Sequence, residues 1–311
     1  MLISRRHAIA SFVAVSAGLC RRAKASSAPR LMIVTTSREG PHAAATEGMQ
    51  QAFASRSIGA ALFQLPADDA SMRRELGNGA NQLAIAVGVT AVRAVASANS
   101  HMPLLATMAF RADIGSLRAS EGAPVKLAGA VWLDLPVAEV IGGLRTIFPA
   151  AARIGIVRNT SHPDVVEALN QSHPLPGGVS LKPIECASAA ELLASMQKLR
   201  GQFDFLICLP DSDLYNKTTV EPLILASLEH KLPLVGFSAS FVRAGAAVGV
   251  YPDFAEVGRQ TAALSERFLT GAQGSRDEYP RRTAVAVNER VMHLLGREYK
   301  PKQGEEVLVI R

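Results

Sequence analysis

The sequence predicts an α/β protein of two lobes, each built on a doubly wound parallel sheet and joined by a hinge that the chain crosses several times. Three observations carry this. Short, continuously apolar runs alternate with longer runs of helical spacing, the pattern of strands buried on both faces. The pattern restarts near residue 150, so that "RIGIVRNTSHP" (153–163) repeats the strand-then-polar-turn logic of "LMIVTTSREGP" (31–41). Finally, "GAAVGVYPDFAEVGRQ" (245–260) runs from a small apolar strand through Tyr-Pro-Asp into a helix with no loop between, as a chain leaving one packed unit for another would do.

In the first unit, "RLMIVTTS" (30–37), "GAALFQLP" (59–66), "QLAIAVG" (82–88), "MPLLATMAF" (102–110) and "LAGAVWLD" (127–134) read as strands. "HAAATEGMQQAFA" (42–54), "SMRRELGNG" (71–79) and "VTAVRAVASAN" (89–99) read as the helices between them. The helix "VAEVIGGLRTIF" (137–148) opens the second unit, with apolar residues at Val137, Val140, Ile141, Leu144 and Phe148. There the strands are 153–159, "VSLKPIE" (179–185), "FDFLICLPD" (203–211), "LPLVGFS" (232–238) and "GAAVGVY" (245–251). The helices are "DVVEALNQS" (164–172), "AAELLASMQKLRG" (189–201) and "TVEPLILASLEHK" (219–231). Right-handed crossovers make each unit doubly wound, with strand order 2-1-3 at its start. Past Asp253 come the helix "FAEVGRQTAALSERFLTG" ended by Gly271, a polar linker (272–282), the strand "TAVAVN" (283–288), the helix "ERVMHLLG" and a charged tail. The tail's "EVLVIR" either adds a strand or hangs loose.

Composition excludes several classes. Of 311 residues 48% are hydrophobic and 19% charged, enough for a large core and too apolar for wholesale disorder. The net charge of +6 does not mark a nucleic-acid binder, because five of the 33 basic residues (Arg5, Arg6, Arg21, Arg22 and Lys24) lie in the first 25, which hold no acid. The rest of the chain is nearly neutral and shows no basic stripe with interleaved aromatics. Those early arginines precede a short apolar run from Ala8 to Cys20, and "AKA" (23–25) fits a small-x-small cleavage site. Residues 1–25 are therefore expected to be an export signal, with paired Arg5-Arg6 pointing to the twin-arginine route. Lipidation at Cys20 is not expected, since Ala17 and Leu19 stand where a lipobox has leucine and a small residue. No later run is long and apolar enough to span a bilayer. Cys186 and Cys208 fall on strands that flank the first strand of lobe two on opposite sides. That puts them about 9–10 Å apart, too far for a disulfide.

Ligands of open parallel sheets sit outside the carboxyl ends of the strands, and those ends are polar here. Thr36 and Ser37, then Thr90, follow strands of lobe one; Asn159, Asp211, Asp213 and Ser238 follow strands of lobe two. Hydroxyls, an amide and carboxylates suit a small polar molecule, although the same residue types are also common helix caps. Thr90 would meet a carboxylate at a helix start, and Asp211 would meet an ammonium group. An enzyme is the rival reading: "GFSAS" (236–240) lacks one glycine of a nucleophile elbow around Ser238, and His293 is the one histidine after it. No histidine, cysteine or carboxylate cluster has metal-ligand spacing, and no glycine-rich phosphate loop is present, so no cofactor is expected.

The segment 241–271, with "LPLVGFS" before it and "AVAVNERVMHLLG" after it, resembles the substrate-binding proteins of ABC transporters, in the type I periplasmic-binding fold of the tryptophan/tyrosine-type amino-acid binders. "AARIGIVRNTSHP" resembles that family's second-lobe opening and "FDFLICLPDSD" its aspartate-bearing loop. "TMAFRADIG" and "AVGVTAV" depart from it in lacking prolines that members often carry. The resemblance implies an exported monomer that closes on a small polar ligand, with amino acids among the candidates. It would then dock peripherally on the permease subunits of a membrane complex; a ligand-binding sensor module is the alternative. It also implies a domain division: signal 1–25, lobe one 26–131 plus 252–280, lobe two 132–251 plus 281–300, and tail 301–311. The hinge crossings would run through Trp132 and Asp134, through Tyr251, Pro252 and Asp253, and near Pro280 to Thr283. Tyr251 would also face the ligand.

Overall fold

In a computed structural model, the structure describes residues 30–311 except 78, 80, 99–100, 115–126, 162–173, 275, 302–303 and 305. The export signal, Cys20 and the helix expected at 164–172 lie outside the described residues.

Lobe one is a sheet of order β11-β5-β4-β3-β1-β2. Its strands are β1 (Arg30–Thr35), β2 (Gly59–Gln64), β3 (Leu83–Val87), β4 (Leu104–Thr107), β5 (Leu127–Val131) and β11 (Asp277–Glu278). All neighbours are parallel. Alternation along β1 sends Leu31 and Ile33 to one face and Met32 and Val34 to the other, and each face founds its own buried cluster. Helices α2 (Asp69–Gly77) and α3 (Val89–Ser97) cover the Met32 face. The Leu31 face is covered by α1 (Gly40–Ala54) and by α8 (Phe254–Leu269), which arrives from the far end of the chain. This is why the chain must return: Leu105 and Val131 would face water without Val257 and Leu264 of α8.

Lobe two is a sheet of order β13-β12-β10-β9-β8-β6-β7. Its strands are β6 (Arg153–Asn159), β7 (Ser180–Cys186), β8 (Phe205–Ile207), β9 (Leu234–Gly236), β10 (Val248–Pro252), β12 (Thr283–Asn288) and β13 (Val307–Ile310). The helices α4 (Val137–Ile147) and α9 (Glu289–Leu294) cover one face. The other is covered by α5 (Ala189–Leu199), α6 (Val220–Glu229) and α7 (Ala239–Ala244).

The structure departs from the sequence expectation in three places. β12 lies antiparallel to β10, because it enters from the third crossing and not from a covering helix. α7 is a separate short helix where the sequence reads as continuous chain between strands. The linker contributes β11, whose Asp277 and Glu278 pair with Ala130 and Val131. Of the two alternatives for the tail, the structure takes the strand: β13 lies parallel to β12. The order β7-β6-β8 follows the expected 2-1-3, and Cys186 and Cys208 are both buried free thiols. Burial pushes their pKa values up to about 11 and about 12.

Candidate functional site

Each sheet reverses its winding beside its first strand. In lobe one the reversal lies between β1 and β3, and in lobe two between β6 and β8. Crevices at such points collect ligands, and the polar strand ends gather around them.

In lobe one, Thr35 is buried at the end of β1, where its hydroxyl donates to Ser37 O (2.9 Å) and accepts from Ser37 N (3.3 Å). That local turn presents Thr36 and Ser37, both half-buried, at the rim. Ser37 Oγ accepts from Glu39 N at 3.1 Å, ahead of α1. Across the crevice, Gly88 ends β3 with φ +90°, a conformation that favours glycine. Thr90 is exposed in the first turn of α3. Sequence reasoning missed His42. Its imidazole is half-buried in the first turn of α1, and a Cβ placed on Gly88 would come within 2.9 Å of Nε2. A lone histidine at a helix start carries no signal of this; only the fold brings it against residue 88.

In lobe two, Asn159 and Asp211 meet directly: Asn159 Nδ2 donates to Asp211 Oδ2 at 3.0 Å, and Asn159 Oδ1 accepts from Ser161 N at 2.9 Å. Asp211 Oδ1 accepts from Asp213 N (2.9 Å) and Leu214 N (3.0 Å). The carboxylate thus caps the turn at the end of its own loop, not the later helix α6. Asp213 is exposed beside it. Ser238 stands apart from this pair as the N-cap of α7, accepting from Phe241 N at 3.1 Å.

The crossings sit behind the two edges. Trp132 is 1% exposed and donates its backbone N–H to Glu278 O at 2.9 Å. Asp134 is buried, and its Oδ2 accepts from Arg111 N at 2.8 Å. Desolvation outweighs that bond and the Arg111 charge, so the pKa of Asp134 is raised. Arg111 Nη1 in turn donates to Tyr279 Oη at 3.1 Å, linking the first crossing to the third. At the second crossing Pro252 still belongs to β10, one residue further than the sequence suggests, opposite Thr283. Asp253 caps α8 by accepting from Glu256 N at 3.1 Å and pairs with Arg282 at 3.6 Å. Tyr251 is buried and stacks on Phe254, ring centroids 6.0 Å apart, which raises its phenol pKa through desolvation. Tyr251 therefore braces the crossing from inside.

A shallow surface pocket lies elsewhere, between the last turns of α8 and the first residues of β4 and β5, where Leu105, Ala128 and Phe268 line it. It is at the opposite end of the strands from the polar edges. Among the described residues no cluster of histidine, cysteine and carboxylate side chains could hold a metal ion, and no helix is long and apolar enough to cross a membrane.

The family described as ABC transporter substrate binding protein matches residues 61–288. No curated protein matches the chain. Three solved structures are similar to it at low identity. The ligand-free, open structure of CD0873, a substrate-binding protein with adhesive properties from Clostridium difficile, has a TM-score of 0.65 and 18% identity over 91% of this chain and 99% of that one. The ABC domain in complex with L-Trp from Streptococcus pneumonia has a TM-score of 0.52 and 16% identity over 91% and 100%. A mutant of the XylFII–LytSN complex has a TM-score of 0.56 and 12% identity over 83% and 97%. At these identities the structures speak for the fold.

Proposed function

The chain belongs to the ABC transporter substrate-binding protein family, and from that premise we propose that it is exported to the periplasm, captures a small polar ligand between its two lobes, and delivers it to a membrane permease. The observation that carries the reading is the Asn159–Asp211 pair at the winding reversal of lobe two, matched in lobe one by the polar rim of Thr36, Ser37 and Thr90. A carboxylate on one edge and hydroxyls with a helix start on the other complement the two charged ends of an amino acid. Asp211 and Asp213 meet the ammonium end, Thr90 the carboxylate. Residues 26–131 with 252–280 then move as lobe one against 132–251 with 281–300, hinged on the three crossings. Ser238 has a capping role, and we assign no catalysis to it.

The experiment is a thermal-shift and calorimetric screen of the chain without residues 1–25 against the twenty L-amino acids, with simple sugars as the contrasting class. Binding of one or a few amino acids supports the reading; binding of sugars alone overturns the amino-acid assignment. A sensor role is the second reading, favoured by the likeness to the XylFII–LytSN complex. Co-purification with a receptor domain in place of permease subunits would select it.

A further inference from the structure

We propose that His42 is a ligand contact of lobe one, its imidazole donating an N–H to the carboxylate of a bound amino acid and setting how deep that carboxylate enters the crevice between β1 and β3. The inference rests on the amino-acid reading above. Four observations lead to it. The ring sits where the first sheet reverses its winding: α1 leaves β1 over one face and α3 leaves β3 over the other, so a crevice opens between the two helix starts. Gly88, at the far wall, has no side chain, and the imidazole fills the space that one would take, with Nε2 at 2.9 Å from the position of a Cβ. The ring is half-buried, with its Nε2 edge the part that lies against Gly88. Among the described residues neither ring nitrogen has a hydrogen-bond partner or an ion pair in the protein. The ring nitrogens are not among the buried unpartnered atoms, so water reaches them, and a ligand carboxylate can take the place of that water.

The protonation state agrees. Burial holds the His42 pKa below the ordinary histidine value, so near neutral pH the ring carries one N–H donor and one bare nitrogen. The neutral donor can approach a carboxylate closely, and the rim of Ser37 and Thr90 can share the load. Packing against Gly88 alone is the competing account. It makes His42 matter for stability and for nothing a ligand does.

The two accounts separate in calorimetry with the tightest-binding amino acid of the screen and, as control, the amine that lacks only its carboxylate. His42→Ala is expected to weaken the amino acid about tenfold or more while leaving the amine within about threefold, because a lost hydrogen bond to a charged group is felt by the carboxylate alone. His42→Gln keeps an N–H donor and is expected to recover most of the affinity; it also serves if the alanine variant does not fold. Wild-type affinity in both variants, or equal losses for amino acid and amine, overturns the contact and leaves the amino-acid reading standing. A wild-type protein that binds no amino acid overturns that reading, and the contact falls with it.

Discussion

Asp211 has a structural role, and the function proposed above gives the same carboxylate a ligand role. Its Oδ1 holds two backbone N–H groups and its Oδ2 the amide of Asn159, so it cannot be only a free charge in a cleft. The sequence left the choice between cap and ligand group open, because aspartate suits both and the turn it closes is visible only in three dimensions. Two substitutions separate the roles. Asp211→Ala removes the acceptors and is expected to cost about 1 kcal/mol of stability or more. Asp211→Asn keeps an oxygen for the turn and loses the charge. It also sets an amide NH2 against Asn159 Nδ2, so its melting point should fall, but by less than that of Asp211→Ala, while the affinity for an amino-acid ligand falls by about 2–5 kcal/mol. Full affinity in Asp211→Asn, measured by calorimetry, would remove the charge from the site. Asp134 gives a second residue-scale test, through pH. Its pKa is raised on folding, so below the ordinary value of 3.8 both states are protonated and the group contributes nothing. As pH rises the unfolded chain ionises first, so stability falls until the pH passes the folded pKa, and the full penalty remains above it. Asp134→Asn, which still accepts from Arg111 N, should melt higher than wild type at pH 7 by a few degrees, and the gap should close toward pH 4. A gap independent of pH would sink the argument.

Among the elements, those with a strong period were legible in the sequence and those made by tertiary pairing were not. The buried strands announce themselves as apolar runs, and α8 does so by its spacing and by the Asp253 cap. β11 is two acidic residues with no strand preference; it exists because β5 offers an open edge. β13 likewise depends on docking to β12, and α7 is too short to show a period. The closest helix contact was also hidden. α1 and α8 cross with Gly48 against Ala255 O and Gly258 against Ala45 O, so that each glycine admits the other helix's backbone. On helix propensity alone, Gly258→Ala should gain about 1 kcal/mol. Backbone cannot give way as a side chain can, so overpacking is expected to win and to cost about 1–3 kcal/mol net. Denaturant melts decide by the sign. A stabilised variant would mean that the two helices can separate without loss, and that α8 is not tightly seated on lobe one.

For the whole molecule the decisive feature is that three crossings are tied to one another as well as to the lobes. The second and third are joined by Asp253 N to Arg282 O at 2.9 Å, and the first and third by Arg111 to Tyr279. The third is anchored to α8 where Glu278 meets Gln260 at 2.6 Å and pairs with both Arg267 and Arg281. A motion that closes the lobes has to turn these strands together, and ligand binding drives it only by the difference in affinity between open and closed forms. Trp132, the chain's single tryptophan, lies at the first crossing, buried in the cluster that Tyr279 flanks. Its emission therefore reports on the first crossing without interference from any other indole of the chain. An indole held in apolar surroundings should emit at short wavelength in the unliganded protein. Closure should change intensity or wavelength along the same saturation curve that calorimetry gives. Trp132→Phe should abolish the optical signal and leave the heat. If heat appears with no change in Trp132 emission, the ligand binds without turning the first crossing, and the two lobes do not close around it as a hinge.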